Sequence, residues 1–384
     1  MAVLNAWQKL TRVIPGKPFG DGSDGAYSST TIPTLTKDSC SGTATSTTLT
    51  TTGSTFANGD ILLIHQTRGT GVGQWEINKV ASGGGSTSLT LQEPLHYTYT
   101  DSGASQAQAI KILQYTDVTV QTGTWTIPAW DQNVGGILVF AADGTVTVTG
   151  TILGTGKGYF YNSTDGNLNE NGHQGEGSGG AGGDSSSANG NGGGGGASAV
   201  SNNEAGDGGG GGNGAAGSNG AAGSSVGIGG SATGAADLTS ITFGGSGGQH
   251  GTNGAAGYVP DWPGDGGGIA IIFAKDIQIG GAVNINGSTA DNPASTSGAG
   301  GGAGGSILYV CQTASLGSNK TTATAGNGVQ GGGNGSVGRV AVHHSGIVSG
   351  TSNPTFTDVT DASLVEAGGG GNPMFFSGGG LALG

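Results

Sequence analysis

Glycine is the feature that most constrains what this chain can fold into. The chain has 384 residues and 88 glycines, and 69 of those glycines fall in residues 151–384. Ordering a residue costs roughly 1–2 kcal/mol of backbone entropy, and glycine loses the most conformational freedom. A stretch such as "GAAGSNGAAGSSVGIGGSATG" (214–234) has almost no large side chains whose burial offsets this cost. Such glycine is therefore either a disordered tether or held by backbone hydrogen bonds between closely packed segments.

The placement of glycine favours the ordered alternative. A polyproline II helix has three residues per turn and no internal hydrogen bonds, so helices with glycine on their inward faces can bond sideways to one another. Glycine recurs at every third position in two runs: Gly214, Gly217, Gly220 and Gly223, then Gly245, Gly248, Gly251, Gly254 and Gly257. The runs are interrupted by Ala, Val and Ile rather than by charge, unlike a Gly/Ser tether. We therefore predict polyglycine II-type excursions within residues 161–265.

The region before the glycine-rich part has the pattern of ordinary β structure. Segments such as "GDILLIHQ", "QWEINKV", "TSLTLQEPLHY" and "QAIKILQYTDVTV" are short, β-branched or alternating, and are separated by glycine or serine turns. Closely spaced strands without a helical period are typical of a small barrel or sandwich. We predict such a domain at residues 31–130.

A repeated unit follows, in which a glycine run leads into an apolar strand, a polar turn and a second short strand. The full copies occupy residues 135–158, 266–289 and 303–328, and a shorter relative occupies 338–350. The strands are apolar at consecutive positions, in 137–140, 269–274 and 307–311. This pattern predicts that both faces of each strand are buried, as in stacked or parallel sheets.

These patterns predict an all-β fold: a small N-terminal β barrel or sandwich, then irregular stacked β-strands with polyglycine II-type glycine-rich excursions. The predicted layout is a docking segment at 1–30, the β domain at 31–130, a first strand repeat at 131–160, the glycine-rich region at 161–265, further strand repeats at 266–355 and a C-terminal tail at 356–384.

Composition and charge exclude several partners. Only 9% of the residues are charged, against about 25% in a usual soluble domain. The formal net charge is −13, without any basic cluster, which argues against nucleic acid and against an anionic membrane surface. No apolar stretch approaches the length of a membrane span, and the N-terminus lacks the apolar core of a secretory signal. We expect a cytosolic protein or one that leaves the cell by another route, such as within a particle released by lysis.

The sequence contains no motif that predicts catalysis, a metal site or a cofactor. Cys40 and Cys311 lie far apart and suit neither a metal cluster nor a disulfide framework, so we expect two buried thiols. His343 and His344 are adjacent at the end of a strand, where one points in and the other out, and no third ligand is in register. G-x-S-x-G, H-E-x-x-H and P-loop motifs do not occur. A polysaccharide depolymerase is the least supported alternative. The paired carboxylates of glycoside hydrolysis meet only in three dimensions, so they cannot be read from spacing in the sequence.

The alternation of "GGGxxGG" runs with strands of the "ILVF" and "IAIIFAK" type resembles the glycine-rich repeat proteins of bacterial surfaces and tailed-phage genomes. More loosely, residues 131–355 resemble the distal tail-fibre adhesins of T-even-like phages, whose glycine-rich motifs form a polyglycine II sandwich with receptor-binding loops. This chain departs from the adhesin pattern in carrying a separate β domain and strands between the glycine segments. The resemblance implies a non-enzymatic virion or extracellular surface protein that binds a host-cell glycan or protein.

Candidate site residues are the few aromatic and polar side chains placed among the glycines and at the chain ends. For receptor binding, in loops at 159–175 and 250–265, they are Tyr159, Tyr161, His250, Tyr258, Asp261 and Trp262. For docking to the particle or to a partner subunit, they are Trp7, Leu10, Val13, Met374, Phe375 and Phe376. The purely structural alternatives are that Trp262 covers glycine backbone and that the apolar residues of the C-terminal tail cap the end of the stacked strands.

The expected partners are other virion or appendage subunits and a host cell-surface molecule, with the chain itself in a homo-oligomer. Many copies on one particle bind tightly even when each contact is weak. The main alternative is a self-assembling filament or coat subunit whose ends pair by strand addition. Ice binding is a further alternative, which requires one regular flat face.

Overall fold

A computed structural model describes residues 9–10, 13–161, 172–196, 206–221, 226–251, 262–291 and 298–364. This part of the chain is essentially all β, as predicted, and consists of a closed six-stranded barrel and a twelve-stranded sheet. None of the described segments forms a helix with the length and apolar character needed to cross a membrane.

The barrel is antiparallel throughout. After a first short strand, β1 (Tyr27–Ser29), the barrel strands are β2 (Lys37–Ser41), β3 (Thr48–Thr51), β4 (Ile61–Arg68), β5 (Trp75–Ser82), β6 (Ser88–Leu91) and β7 (Gln106–Lys111). They close in the order β2-β3-β6-β5-β4-β7. Of the two predicted alternatives for residues 31–130, a small barrel or a sandwich, the structure has the barrel, which occupies 37–111.

The large sheet is parallel in every strand pair. It contains β1 together with β8 (Leu113–Tyr115), β9 (Val118–Val120), β10 (Thr124–Thr126), β11 (Ile137–Val148), β12 (Thr151–Leu153), β13 (Ile269–Ile279), β14 (Ala282–Asn284), β15 (Ser306–Thr322), β16 (Arg339–His344), β17 (Val348–Asn353) and β18 (Thr357–Thr360). The main strand order is β1-β9-β11-β13-β15-β14-β12-β10, with β8, β16, β17 and β18 paired to members of this path. The first three strands after the barrel thus belong to the sheet.

The repeat copies of the sequence lie side by side in this sheet. Ile137 of β11 is opposite Ile269 of β13, which is opposite Ser306 of β15, which in turn is opposite Arg339 of β16. The second strands of the copies, β12, β14 and the end of β15, also pair in parallel. Each copy therefore adds one strand to each of two stacked layers.

The apolar runs are buried on both faces, as predicted. Alternate side chains of a strand point to opposite faces. One core cluster lies between the sheet layers and includes Trp125, Phe140, Ile272, Val283 and Tyr309. The other lies between the sheet and the barrel and includes Leu63, Trp75, Val139, Ile271 and Val310.

The glycine-rich segments before and between the strands are joined by regular backbone hydrogen bonds. We call these segments the glycine bundle: the described residues within 172–268, with 285–291, 298–305 and 323–338. Backbone amides that are three residues apart on one segment donate to backbone carbonyls that are three residues apart on another segment. The amides of Gly245, Gly248 and Gly251 donate to the carbonyls of Gly212, Gly209 and Gly206, at 3.0, 2.8 and 2.9 Å. Parallel pairs follow the same rule, since Gly208 and Gly211 donate to Gly298 and Gly301.

At many glycines of the bundle, neighbouring segments approach too closely for a side chain to fit between them. A Cβ atom on Gly211 would lie 1.9 Å from the carbonyl oxygen of Gly245, and one on Gly248 would lie 2.1 Å from that of Gly194. At these positions glycine is required by close backbone contact rather than by an unusual backbone angle.

Two residues predicted to dock to a partner are instead part of the core. Leu10 is fully buried and Val13 is 3% exposed, and both pack in the cluster between the sheet and the barrel. Their apolar surface is therefore buried within the chain rather than exposed for docking. Trp7, Met374, Phe375 and Phe376 lie outside the described residues.

Candidate functional site

The glycine bundle has two distinct ends. At one end, Gly268, Gly305 and Gly338 lead directly into β13, β15 and β16. We call the opposite end the far end; among its described residues are Gly172, Gly196, Gly206, Gly251, Trp262, Asp291 and Gly298. Hydrogen bonds tie the far end together: the amide of Gly172 donates to Gly196, at 2.6 Å, and that of Gly196 donates to Gln249, at 2.8 Å. Segments distant in sequence thus end beside one another.

Among the described residues of this end, Trp262 is the most exposed aromatic side chain. Its backbone pairs with Asp291, each amide donating to the other's carbonyl at 2.9 and 2.8 Å. The indole is 60% exposed. A large flat apolar side chain on a hydrogen-bonded backbone suits stacking against a sugar ring or a protein side chain.

Tyr161 lies on a neighbouring segment and is anchored through Asp265. The amide of Tyr161 donates to Oδ1 of Asp265, at 3.1 Å, and the amide of Asp265 donates to Oγ of Ser288, at 2.7 Å. Burial raises the pKa of Asp265 to about 6. The ring of Tyr161, which is half-buried, packs edge to face against His173, with 5.9 Å between the ring centroids. Trp262 precedes Asp265 by three residues, so the two predicted aromatics lie on hydrogen-bonded neighbouring segments.

Two of the predicted receptor-binding side chains are buried. Tyr159 has no exposed surface, its hydroxyl donates to the carbonyl of Thr67, and its ring packs against Phe243 at a centroid distance of 5.3 Å. His250 is 4% exposed. Both side chains are therefore enclosed by the chain itself, unlike the exposed side chains expected of a receptor contact. Tyr258 and Asp261 lie outside the described residues.

A buried ion pair that the sequence did not indicate holds the bundle against the barrel. Arg68 at the end of β4 pairs with Glu176 of the bundle, and both are buried. The indole Nε1 of Trp130 and the amide of Phe160 also donate to Glu176, at 3.0 and 3.2 Å. Burial raises the pKa of Glu176, against the opposing effect of these donors. Full enclosure makes this carboxylate a structural anchor, which orients the bundle relative to the barrel.

The described residues contain no cluster of three or more His, Cys, Asp or Glu side chains arranged to hold a metal ion. The adjacent histidines face different partners: Nε2 of His343 lies 2.7 Å from the carbonyl oxygen of Asp237, and Nε2 of His344 lies 2.7 Å from Oδ1 of Asp358. Cys40 and Cys311 are free and buried, as predicted, and burial raises the pKa of Cys311 to about 12. A thiol with so high a pKa is a poor nucleophile at neutral pH.

Comparison of the chain with protein-family models, with curated proteins and with solved structures finds no match.

Proposed function

We propose that this chain is a non-enzymatic virion protein, a tail fibre or surface appendage, that attaches to the host cell through the far end of the glycine bundle. The observation that supports this proposal most is the three-residue hydrogen-bond ladder, which holds the ends of many segments together at one place. A rigid scaffold that presents segment ends beside one another is the arrangement expected of a recognition surface.

In this proposal the bundle segments are polyglycine II helices. The spacing of three residues between successive donors equals the three residues per turn of this helix. The lack of space for a Cβ atom between segments agrees with helices packed through their glycine faces. Because the backbone is already ordered before binding, little conformational entropy is lost when the far end meets a receptor.

The side chains of the far end fit a host-cell glycan or protein. Trp262 offers an exposed ring, the partly exposed rings of Tyr161 and His173 offer aromatic edges, and Asp291 offers an exposed carboxylate nearby. Aromatic rings with adjacent polar groups are common where one partner is a sugar or a polar protein surface. Repetition of the chain in a homo-oligomer or on a particle multiplies weak contacts.

The test is binding of the full-length, fluorescently labelled chain to a panel of bacterial strains, measured by flow cytometry. Trp262→Ala is expected to reduce binding to the recognised strain about tenfold or more, as for an aromatic residue central to an interface. Ile228→Ala is the matched control, because Ile228 is also an exposed apolar residue of the bundle, at 44% exposure. Equal binding by the Trp262→Ala variant and the unmodified chain would overturn the proposal for this end.

A second candidate function, a self-assembling filament or coat subunit, is favoured by the edges of the sheet. Within the described residues, β10 pairs only with β12 and β18 pairs only with β16. An edge strand has unpaired backbone groups that can accept a strand of another copy. Sedimentation at increasing protein concentration distinguishes the two functions: open-ended polymers indicate a filament, whereas one closed species agrees with an adhesin.

A further inference from the structure

An open groove of about 600 Å³ crosses the outer face of the large sheet. Four neighbouring parallel strands, β11, β13, β15 and β17, form its floor. The groove lies about ten residues along these strands from the glycine segments that lead into them, so it is separate from the far end. Its polar lining includes Thr147, Asp276, Gln278, Thr313, Ser315 and Ser349.

The groove exists because the strand pattern changes after a bulge. The register between β11 and β13 shifts between Ala142 and Thr145. Beyond it, "TVTV" of β11 and "DIQI" of β13 alternate strictly, with the aliphatic residues packed in the core between the layers and the polar residues facing outward. The outer face is therefore polar where the earlier part of the same strands is apolar on both faces.

The pairing register places the polar side chains in rows that cross the strands. Thr147, Gln278, Ser315 and Ser349 are successive Cα partners and form one row. Neighbouring strands lie about 4.8 Å apart, so the row repeats a polar group at this interval. This interval is close to the length of one pyranose unit in an extended polysaccharide.

Asp276 is held in position before any ligand arrives. Its Oδ1 accepts a hydrogen bond from Oγ1 of Thr313, at 2.5 Å, and its Oδ2 accepts one from Nε2 of Gln278, at 2.7 Å. A carboxylate oxygen has more than one acceptor position, so each oxygen can also accept from a sugar hydroxyl. Ile347, which is 77% exposed at the rim, supplies an apolar surface for the C–H groups of a sugar ring.

The charge of the lining restricts the class of ligand. Among the described residues that line the groove, Asp276 is the one charged residue, and none of them is Lys or Arg. Phosphate, sulfate and carboxylate groups would meet a negative charge without a counterion. Side chains that both donate and accept hydrogen bonds suit a ligand made of hydroxyl groups.

We propose that this groove binds an extended, uncharged oligosaccharide that runs across the strands. The row of hydroxyl and amide groups contacts successive sugar units, and Asp276 accepts hydrogen bonds from a pair of neighbouring sugar hydroxyls. This site goes beyond the proposed function of the far end and does not depend on it.

The test is titration calorimetry of the full-length chain with three neutral tetrasaccharides, of β1,4-linked glucose, α1,4-linked glucose and β1,4-linked mannose, and with a sulfated tetrasaccharide. We expect one of the neutral probes to bind and the sulfated probe not to bind. Asp276→Asn, which removes the charge at similar size, is expected to weaken binding about tenfold, the effect of losing one charge-assisted hydrogen bond. Ser315→Trp, which fills the groove at an exposed position, is expected to abolish binding.

Ser88→Trp is the matched control, because Ser88 is an exposed serine on the barrel strand β6. Thermal unfolding of each variant checks that the fold is retained. No binding of any neutral probe, or unchanged binding by the Ser315→Trp variant, would overturn the proposal. If binding is lost in Trp262→Ala and kept in Ser315→Trp, glycan recognition belongs to the far end, and only the groove proposal fails.

Discussion

Lys9 has a basic side chain that is enclosed in the core. It is 2% exposed, its Nζ donates to the carbonyl of Trp75 at 2.8 Å, and Nζ lies 3.5 Å from the centroid of that indole ring. Burial lowers the pKa of Lys9 to about 7, although Glu76 and Asp237 act in the opposite direction. Burial in the core therefore favours the neutral amine of Lys9 over the charged ammonium group.

The protonation of Lys9 predicts a specific dependence of stability on pH. The folded pKa is about 7 and the ordinary value is 10.5, so between these values the folded chain binds fewer protons than the unfolded chain. Stability therefore rises from pH 7 towards pH 10.5 and is lost as the pH falls through this window. We expect this lysine to contribute roughly 3–5 kcal/mol to the rise, at about 1.4 kcal/mol per pKa unit. Urea unfolding of the unmodified chain and of Lys9→Met at pH 7, 8.5 and 10 measures this contribution. If the free energy of unfolding of the two proteins changes with pH in parallel, the prediction is contradicted.

Gly248 and Gly183 provide a matched test of the glycine packing. A Cβ atom on Gly248 would lie 2.1 Å from the carbonyl oxygen of Gly194, whereas one on Gly183 would have no atom within 4 Å. Gly248→Ala is therefore expected to cost several kcal/mol of unfolding free energy, or to prevent folding. Gly183→Ala is expected to change stability by less than about 1 kcal/mol. Urea unfolding of both variants measures the difference, and equal effects would contradict close packing of the segments.

The strands show which parts of the fold can be predicted from sequence. Consecutive apolar residues such as 137–140 indicated burial on both faces, and the copies of the repeat indicated stacking, because both are local patterns. The row formed by Thr147, Gln278 and Ser315 depends on the register between copies, which is set by the bulge after Ala142 and cannot be read from one strand. Alternation in "TVTV" and "DIQI" was the available signal for an outward polar face.

The aromatic residues show why the candidate site was only partly predicted. In a glycine-rich setting an aromatic residue is expected to be exposed, since few side chains surround it. Trp262 follows this expectation, but Tyr159 is enclosed because the bundle meets the barrel at this point. The sequence carries no local sign of that long-range contact, nor of the Arg68–Glu176 pair beside it.

The ladders of the glycine bundle predict slow amide exchange. Amides of Gly211, Gly245 and Gly248 donate to carbonyls of other segments, and these residues are buried. Exchange then requires opening of the bundle, so we expect protection for minutes or longer. Hydrogen–deuterium exchange of the full-length chain, read by mass spectrometry over residues 206–251, measures this. Exchange at random-coil rates would instead make the segment a tether and move the binding function to the barrel.

One core cluster of the molecule is shared among its three parts. The cluster between the sheet and the barrel contains Trp75 from the barrel, Ile271 from the sheet and Phe243 from the glycine bundle. The ring of Phe243 lies 5.7 Å from Trp130 and 5.3 Å from Tyr159, measured between centroids. Removal of any one part would expose this apolar surface to water. The barrel, the sheet and the bundle should therefore unfold as a single unit.

Phe243→Ala tests this coupling. The substitution removes a fully buried ring, so we expect a loss of about 3–5 kcal/mol of unfolding free energy, with a single transition kept. Scanning calorimetry, together with tryptophan fluorescence, to which Trp75 of the barrel and Trp125 of the sheet both contribute, measures the transition. Val337→Ala, at a 38% exposed position, is the control and should change stability by less than about 0.5 kcal/mol. A separate transition for the barrel in the Phe243→Ala variant would contradict this prediction. It would show that the barrel unfolds as a domain of its own, independently of the sheet.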